Sequence, residues 1–301
     1  MYNGIINVYK EKGFTSHDVI AKLRGILKQK KIGHTGTLDP DATGVLPVCL
    51  GNGTRLSDML TDTDKIYRAE FVLGKVTDTQ DISGTVIGGS EVTATEEEVV
   101  SVINSFVGKY SQIPPMYSAI KQEGKKLYEL AREGKEVERE PREVVIHGII
   151  IENINLPNVT ITVECSKGTY IRTLCHDIGV KLGCGACMTS LVRTKVGIFT
   201  IDTSLTLAEL QTLSDEDRVA EQIILPDKMF PGLKTCHTTK DGDRAVHNGN
   251  PFVAKDTLEG SSLPKDEQLL VYDSAGVFIG IFSFRSQKRM FFPDKMFYGV
   301  G

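Results

Sequence analysis

The chain of 301 residues carries 35 Lys and Arg against 39 Asp and Glu, a formal net charge of −4, with 40% hydrophobic and 25% charged residues. These proportions fit a globular protein with a full core, and the length allows two domains. They exclude a helical membrane protein, since no apolar run approaches the ~20 residues a bilayer needs. They also leave any nucleic-acid binding to local basic patches.

Taken in order, residues 4–8 read as an apolar strand and not as an export signal, because no basic region leads into a long apolar stretch. After the turn Lys10-Glu11-Lys12-Gly13, Thr15 or Ser16 caps a helix running to about Gln29, with Val19, Ile20, Leu23, Ile26 and Leu27 on one face. A Gly-rich loop, 33–44, feeds into the apolar run 45–50. Residues 67–73 alternate like a half-buried strand, and 77–81 form a polar loop. Residues 95–106 are a helix, with Thr95 and Glu98 spaced as a capping box. The charged stretch 110–143 opens on Pro114-Pro115 and reads as an extended flap with a short helix near 125–133. Strands follow at 144–154 and 159–165, then Lys167-Gly168 turns the chain into a strand end and helix over 170–182. Residues 206–213 form a capped helix. Beyond a boundary near Asp227, Gly, Phe and alternating apolar positions predict a small all-β unit.

The six cysteines (Cys49, Cys165, Cys175, Cys184, Cys187 and Cys236) are sparse and read as reduced thiols. Cys184-Gly185-Ala186-Cys187 has the spacing of half a zinc site but lacks a second ligand pair, so small buried residues around a turn are the better reading. Basic residues cluster at Lys22, Arg24, Lys28, Lys30 and Lys31, at Lys121, Lys125 and Lys126, and at Arg139 and Arg142. Singly, each cluster is a solvated face; the first gains weight by running into the Gly-rich loop.

That loop holds three glycines, His34, and Asp39 locked against Pro40. Pro40 biases Asp39 away from the α region, so the backbone presents one carboxylate in one orientation. By residue type alone Asp39 is open to the roles of nucleophile, general base, metal ligand or turn cap, and a turn is the commonest use of Asp-Pro among glycines. The loop is neither a P-loop nor a dinucleotide fingerprint.

Gly33-His34-Thr35-Gly36-Thr37-Leu38-Asp39-Pro40, followed by Ala42-Thr43-Gly44-Val45-Leu46-Pro47, closely resembles the signature of the bacterial tRNA pseudouridine-55 synthases, the TruB family. Four more segments agree in order: residues 10–16, Asp64-Lys65-Ile66-Tyr67, the string 165–173 and Leu191-Val192-Arg193-Thr194. Two positions depart from the family pattern: Glu11 stands where Pro is common, and Val192 where a first arginine is. The resemblance is dense over about 4–200 and loose beyond.

The resemblance implies an α+β fold: a mixed, mostly antiparallel sheet flanked by helices, with a small C-terminal β-rich PUA-like domain. The units would be a catalytic domain over 1–227, with 110–143 as an RNA-binding flap, and an RNA-binding domain over 228–301. The implied activity cleaves the N-glycosidic bond of a T-loop uridine, turns the base and rejoins it through carbon. No cofactor or metal is implied, since the reaction needs neither redox chemistry nor energy input. Asp39 is the implied catalytic carboxylate, and the logic of covalent catalysis suits either attack route open to it. Arg172 pairs with Asp39 and orients it. Tyr67 stacks on the flipped uracil and Leu191 walls its pocket. His34 fills the space that the nucleotide leaves. Lys10 contacts a phosphate or a loop, and Asp81 helps to hold the site loops. The implied partner is the tRNA T-arm, embraced through phosphates by the basic clusters. The implied protein is a cytoplasmic monomer without an obligate protein partner.

Two other readings compete. A guide-RNA-dependent enzyme of the same fold would need partner proteins. An RNA-binding protein with a vestigial site would be free to lose Asp39, Tyr67 or Arg172, and all three are present. A glycosidase lacks its second catalytic carboxylate in a comparable setting.

Overall fold

The structure is a computed structural model describing residues 1–122, 124–264 and 267–299. The first half of the chain runs β1 (Gly4–Lys10), α1 (Ser16–Ile26), β2 (Ile32–His34), β3 (Thr43–Leu50), α2 (Ser57–Thr61), β4 (Lys65–Leu73), the hairpin β5 (Val76–Thr77) and β6 (Val86–Gly88), α3 (Glu96–Asn104) and β7 (Gly108–Gln112). A second hairpin, β8 (Lys121–Gln122) and β9 (Lys125–Lys126), leads to α4 (Leu127–Arg132). Then come β10 (Arg142–Asn155), β11 (Asn158–Cys165), α5 (Ile171–Lys181), β12 (Ala186–Val196), β13 (Phe199–Thr200) and α6 (Leu207–Asp215). The tail holds β14 (Lys234–His237), α7 (Lys240–His247), β15 (Gln268–Tyr272), β16 (Phe278–Arg285) and β17 (Met290–Met296).

The fold is α+β, and one mixed sheet organises it, with strand order β1-β3-β12-β4-β11-β10-β7. All its pairings are antiparallel except that of β12 with β3. Burial pattern shows why each strand sits where it does. In β4 every second residue is buried, so one face meets the core and the other meets solvent. β3 is buried along nearly its whole length. Leu46, Val48 and Leu50 face α1 and α6 on one side, while Val45 and Cys49 face the C-terminal sheet on the other. A strand covered on both faces reads as a continuous apolar run rather than an alternation. A third core cluster lies between β4, β11 and β12 and the helices α3 and α5.

The capping boxes at Thr15–Asp18, Thr95–Glu98 and Thr206–Glu209 begin α1, α3 and α6. The flap helix is α4, shorter than its charged sequence suggested. In the tail, β14–β17 form a separate sheet. This unit is not all-β as its sequence pattern predicted, for it contains α7. Gly242 lets that helix approach the chain closely: a Cβ there would lie 2.5 Å from the Asp256 carbonyl oxygen. Cys184 and Cys187 are buried free thiols beside the turn into β12. Among the described residues, no helix is long and apolar enough to cross a membrane.

Candidate active site

Asp39 is held by its neighbours in sequence. Leu38 and Ala42, on either side of it, are buried in the cluster that also contains Tyr67, Ile171 and Leu191. With both flanks anchored in the core, the carboxylate is left 42% exposed. Distant residues fix the loop backbone. Ser16 Oγ, at the start of α1, accepts from Leu38 N at 3.0 Å. Gly13 N and Lys10 Nζ both donate to the Pro40 carbonyl, at 2.9 and 3.0 Å. Thr61 Oγ1 reaches the Thr35 carbonyl at 3.1 Å. The motif over 10–16 and the Asp39 motif therefore belong together physically, since one is the clamp on the other.

This revises the reading of Lys10. A phosphate contact needs an ammonium at the surface, and Lys10 has 0% exposure. Burial lowers it to about 8, although Asp39 and Asp41 pull the other way. Of the two contacts weighed for Lys10, the structure contains the loop contact. Glu11, where the family commonly has Pro, accepts from Lys10 Nζ through its backbone carbonyl at 3.2 Å.

Arg172, 6% exposed, lies one residue into α5 and reaches two carboxylates. Its Nη1 is 3.3 Å from Asp39 Oδ2 and 3.5 Å from Asp81 Oδ2. Its Nη2 donates to the Tyr117 carbonyl in the flap, and its guanidinium lies 5.9 Å over the Tyr170 ring. Asp81 is held in turn by Thr79 Oγ1 at 2.8 Å and Ser83 N at 3.0 Å. Sequence reasoning missed the residue that seats Arg172. The N-cap of α5, Tyr170, has no side-chain cap. Gln112, 1% exposed at the flap root, binds both backbone groups of Tyr170, accepting at 2.8 Å and donating at 2.9 Å.

Tyr67 on β4 packs in the same cluster as Leu38 and Ala42, which flank Asp39, and is 9% exposed, as is Leu191 on β12. Burial raises the Tyr67 phenol, and the Arg193 charge opposes the shift. His34 Nδ1 accepts from Gly36 N at 3.3 Å, which leaves Nε2 carrying the proton. Its ring meets His17 edge-on at 5.5 Å. Burial, with the charges of His17 and Arg193, lowers His34 to about 4. His34 is therefore held as a neutral imidazole at pH 7, with Nε2 as the donor.

A carboxylate oriented by a buried arginine, beside an aromatic ring and an apolar wall, suits chemistry on a flat, uncharged base. The proteins that this chain matches in sequence are pseudouridine synthases, which isomerise uridine. Residues 24–171 match the N-terminal domain of the TruB family pseudouridylate synthases, and 172–229 match the C-terminal domain of tRNA pseudouridylate synthase B. This chain belongs to the TruB family. The tRNA pseudouridine synthase B of Lachnoclostridium phytofermentans is 52% identical, over 98% of this chain and 99% of that one. Its counterpart in Geobacter sulfurreducens is 45% identical, over 86% of each. Solved structures agree on the fold. An H/ACA RNP bound to a substrate RNA containing 2'-deoxyuridine superposes with a TM-score of 0.69 at 25% identity, over 99% of this chain and 86% of that one. A Cbf5-Nop10-Gar1 complex gives 0.70 at 27%, over 99% and 85%. The site draws on both matched domains, since Asp39 and Tyr67 fall in the first and Arg172 and Leu191 in the second.

Proposed function

We propose that this chain is a stand-alone tRNA pseudouridine synthase acting on the T-loop uridine at position 55. The observation that carries the reading is the pairing of the half-exposed Asp39 with the buried Arg172, 3.3 Å apart. In this reading Asp39 acts on the flipped uridine. Arg172 keeps the carboxylate aimed, and Tyr67 supplies the ring on which the uracil stacks. Leu191 closes the pocket, His34 donates from Nε2 into the space the nucleotide leaves, and Asp81 braces Arg172 from the other side. Substrate and product contain the same atoms, so the reaction calls for no redox partner.

The substrate is the tRNA T-arm, held through phosphates by Lys22, Arg24, Lys28 and Lys30 on and beside α1, and by Lys121 and Lys125 in the flap, all of which are exposed. Residues 1–227 would serve as the catalytic unit, with 110–143 closing over the RNA, and 228–301 as a PUA-like RNA-binding unit. A monomer working in the cytoplasm without a protein partner fits the 52% identity to a tRNA pseudouridine synthase B, against 25–27% to the H/ACA-type proteins.

The test is to map modified uridines in a T-arm transcript after incubation with the protein and with Asp39→Asn. Conversion at the single T-loop position by the natural sequence alone is expected, together with RNA binding by both. Turnover by Asp39→Asn, or no conversion by the natural chain, would overturn the proposal.

A further inference from the structure

Arg193 is a large side chain in the interior, 2% exposed, yet the carboxylates of the site, Asp39 and Asp81, pair with Arg172 instead. Among the described residues, Arg193 forms no ion pair. Its Nη2 donates to the Gly36 carbonyl at 3.2 Å and its Nε to the Val45 carbonyl at 2.7 Å. These two carbonyls lie on opposite limbs of the loop that carries Asp39. Its backbone closes against the same loop: Arg193 pairs with Gly44, and a Cβ at Gly44 would lie 2.2 Å from the Arg193 carbonyl oxygen. On its other side Arg193 pairs with Tyr67 across β4, and its charge lies against the phenol. One residue therefore touches both limbs of the Asp39 loop and interacts with the Tyr67 phenol.

A buried cation without a carboxylate partner is costly. Three neighbouring bases register its presence. Lys10 and Lys65 are lowered to about 8 and His34 to about 4, in each case mainly by burial, with the Arg193 charge adding to the shift. The neighbours thus yield their protons more readily, while the site's carboxylates, Asp39 and Asp81, pair with Arg172 and not with Arg193.

We propose that Arg193 is a positioning residue for the isomerisation: it sets the Asp39 loop against Tyr67 and holds a positive charge beside the bound base. The inference rests on the proposed function. Three routes are open to Asp39. If Asp39 adds to C6 of the base, the C5–C6 π pair moves into the ring carbonyl system. If it attacks C1′, the C1′–N1 bond breaks and its pair goes to N1. If it removes the C2′ proton, the C–H pair forms the C1′–C2′ double bond and the C1′–N1 pair again goes to N1. In all three the uracil ring becomes anionic, and a fixed cation nearby stabilises that charge without reorganisation.

The test uses the full chain with Arg193→Met, Arg193→Gln and Arg193→Lys. It measures single-turnover conversion at saturating T-arm transcript, RNA affinity, and amide hydrogen exchange over residues 35–45. Arg193→Met is expected to slow conversion about 100-fold, to leave RNA affinity within about twofold, and to speed exchange in the loop. Arg193→Gln, which keeps hydrogen bonding without charge and covers a Met variant that does not fold, should be slow with part of the loop protection retained. Arg193→Lys should recover about tenfold of the rate lost in the Met variant. Equal rates for Lys and Gln would overturn the electrostatic part, and wild-type rates with unchanged exchange in Met or Gln would overturn the whole. If the natural chain converts no transcript, the proposed function fails, while the exchange measurements still decide the clamp.

Discussion

At the residue scale, charge and burial are played against each other around one exposed carboxylate. Asp39 is the group left open, while the cations that hold or face it, Lys10, Arg172 and Arg193, are at most 6% exposed. Their hydrogen bonds go to carbonyls and carboxylates supplied by the site itself. His34 yields a pH prediction with a definite sign. Its ordinary value of 6.5 is lowered to about 4 in the fold. Between those values the unfolded chain takes up a proton that the folded chain refuses. The contribution to stability is therefore fully present above pH 6.5 and is lost as pH falls toward 4. Denaturant titrations at pH 7 and 4.5 should show His34→Gln losing about 2 kcal/mol less than the natural chain over that interval. Equal losses would mean that His34 is not held neutral by the fold.

At the element scale, the site depends on where two elements begin. β3 starts at the point where the Asp39 loop closes, with Gly44 at φ +106° pressed against Arg193. Gly44→Ala combines a left-handed backbone with a 2.2 Å clash against backbone. It should cost about 3 kcal/mol or more in denaturant unfolding, and a loss below 1 kcal/mol would show that the two strands separate easily there. At the start of α5, the Gln112 side chain holds both backbone groups of the N-cap residue Tyr170, accepting from its N–H and donating to its carbonyl. Gln112→Ala is expected to destabilise by about 2 kcal/mol through two lost buried hydrogen bonds. It should also slow single-turnover conversion about tenfold by loosening Arg172, with RNA affinity little changed. A rate unaffected alongside the stability loss would separate Gln112 from the chemistry.

The elements also show which patterns are legible in a sequence. β4 and the capped starts of α1, α3 and α6 were readable because each follows one local rule, alternation in the strand and a Thr followed by an acid three residues on in the helices. β12 was not, although it lies at the centre of the sheet. Register shifts at Met188/Ser190 and Arg193/Lys195 break its alternation, and its residues mix small, polar and charged types. α7 was missed in a tail dominated by strand patterns and glycines.

At the scale of the whole molecule, the C-terminal sheet is part of the same packing as the catalytic sheet. Leu270, Ile281 and Phe297 share a core cluster with Ile5, Val45, Cys49 and Phe199. Polar ties cross the same boundary. Arg55 donates to the Met296 carbonyl, Asn52 to the Phe297 carbonyl at 2.5 Å, and Tyr272 to Asp227 at 2.9 Å. Ending the chain at Met229 would expose the far face of β1 and β3, directly behind the Asp39 loop. Each apolar side chain so uncovered is worth about 1.5–3 kcal/mol, so the shortened protein should melt about 10 °C or more below the full chain in a calorimetric scan. An unchanged melting temperature would show that the two sheets are energetically independent.

The amino-acid sequence alone determined the loop with Asp39, the strand with Tyr67, the helix with Arg172 and the family resemblance, because each rests on residues adjacent in the chain. It left Lys10 open to a phosphate or a loop, since lysines are mostly exposed and the burial of this one is not legible locally. Only the tertiary structure decided what holds the site together. The Pro40 carbonyl that takes Lys10, the loop carbonyls that take Arg193, and the Tyr170 backbone that takes Gln112 lie 30, 157 and 148, and 58 residues away from their partners. A buried cation can be told from a solvated one only by knowing what the fold brings to it, and that is set by packing across the sheet rather than by any local pattern.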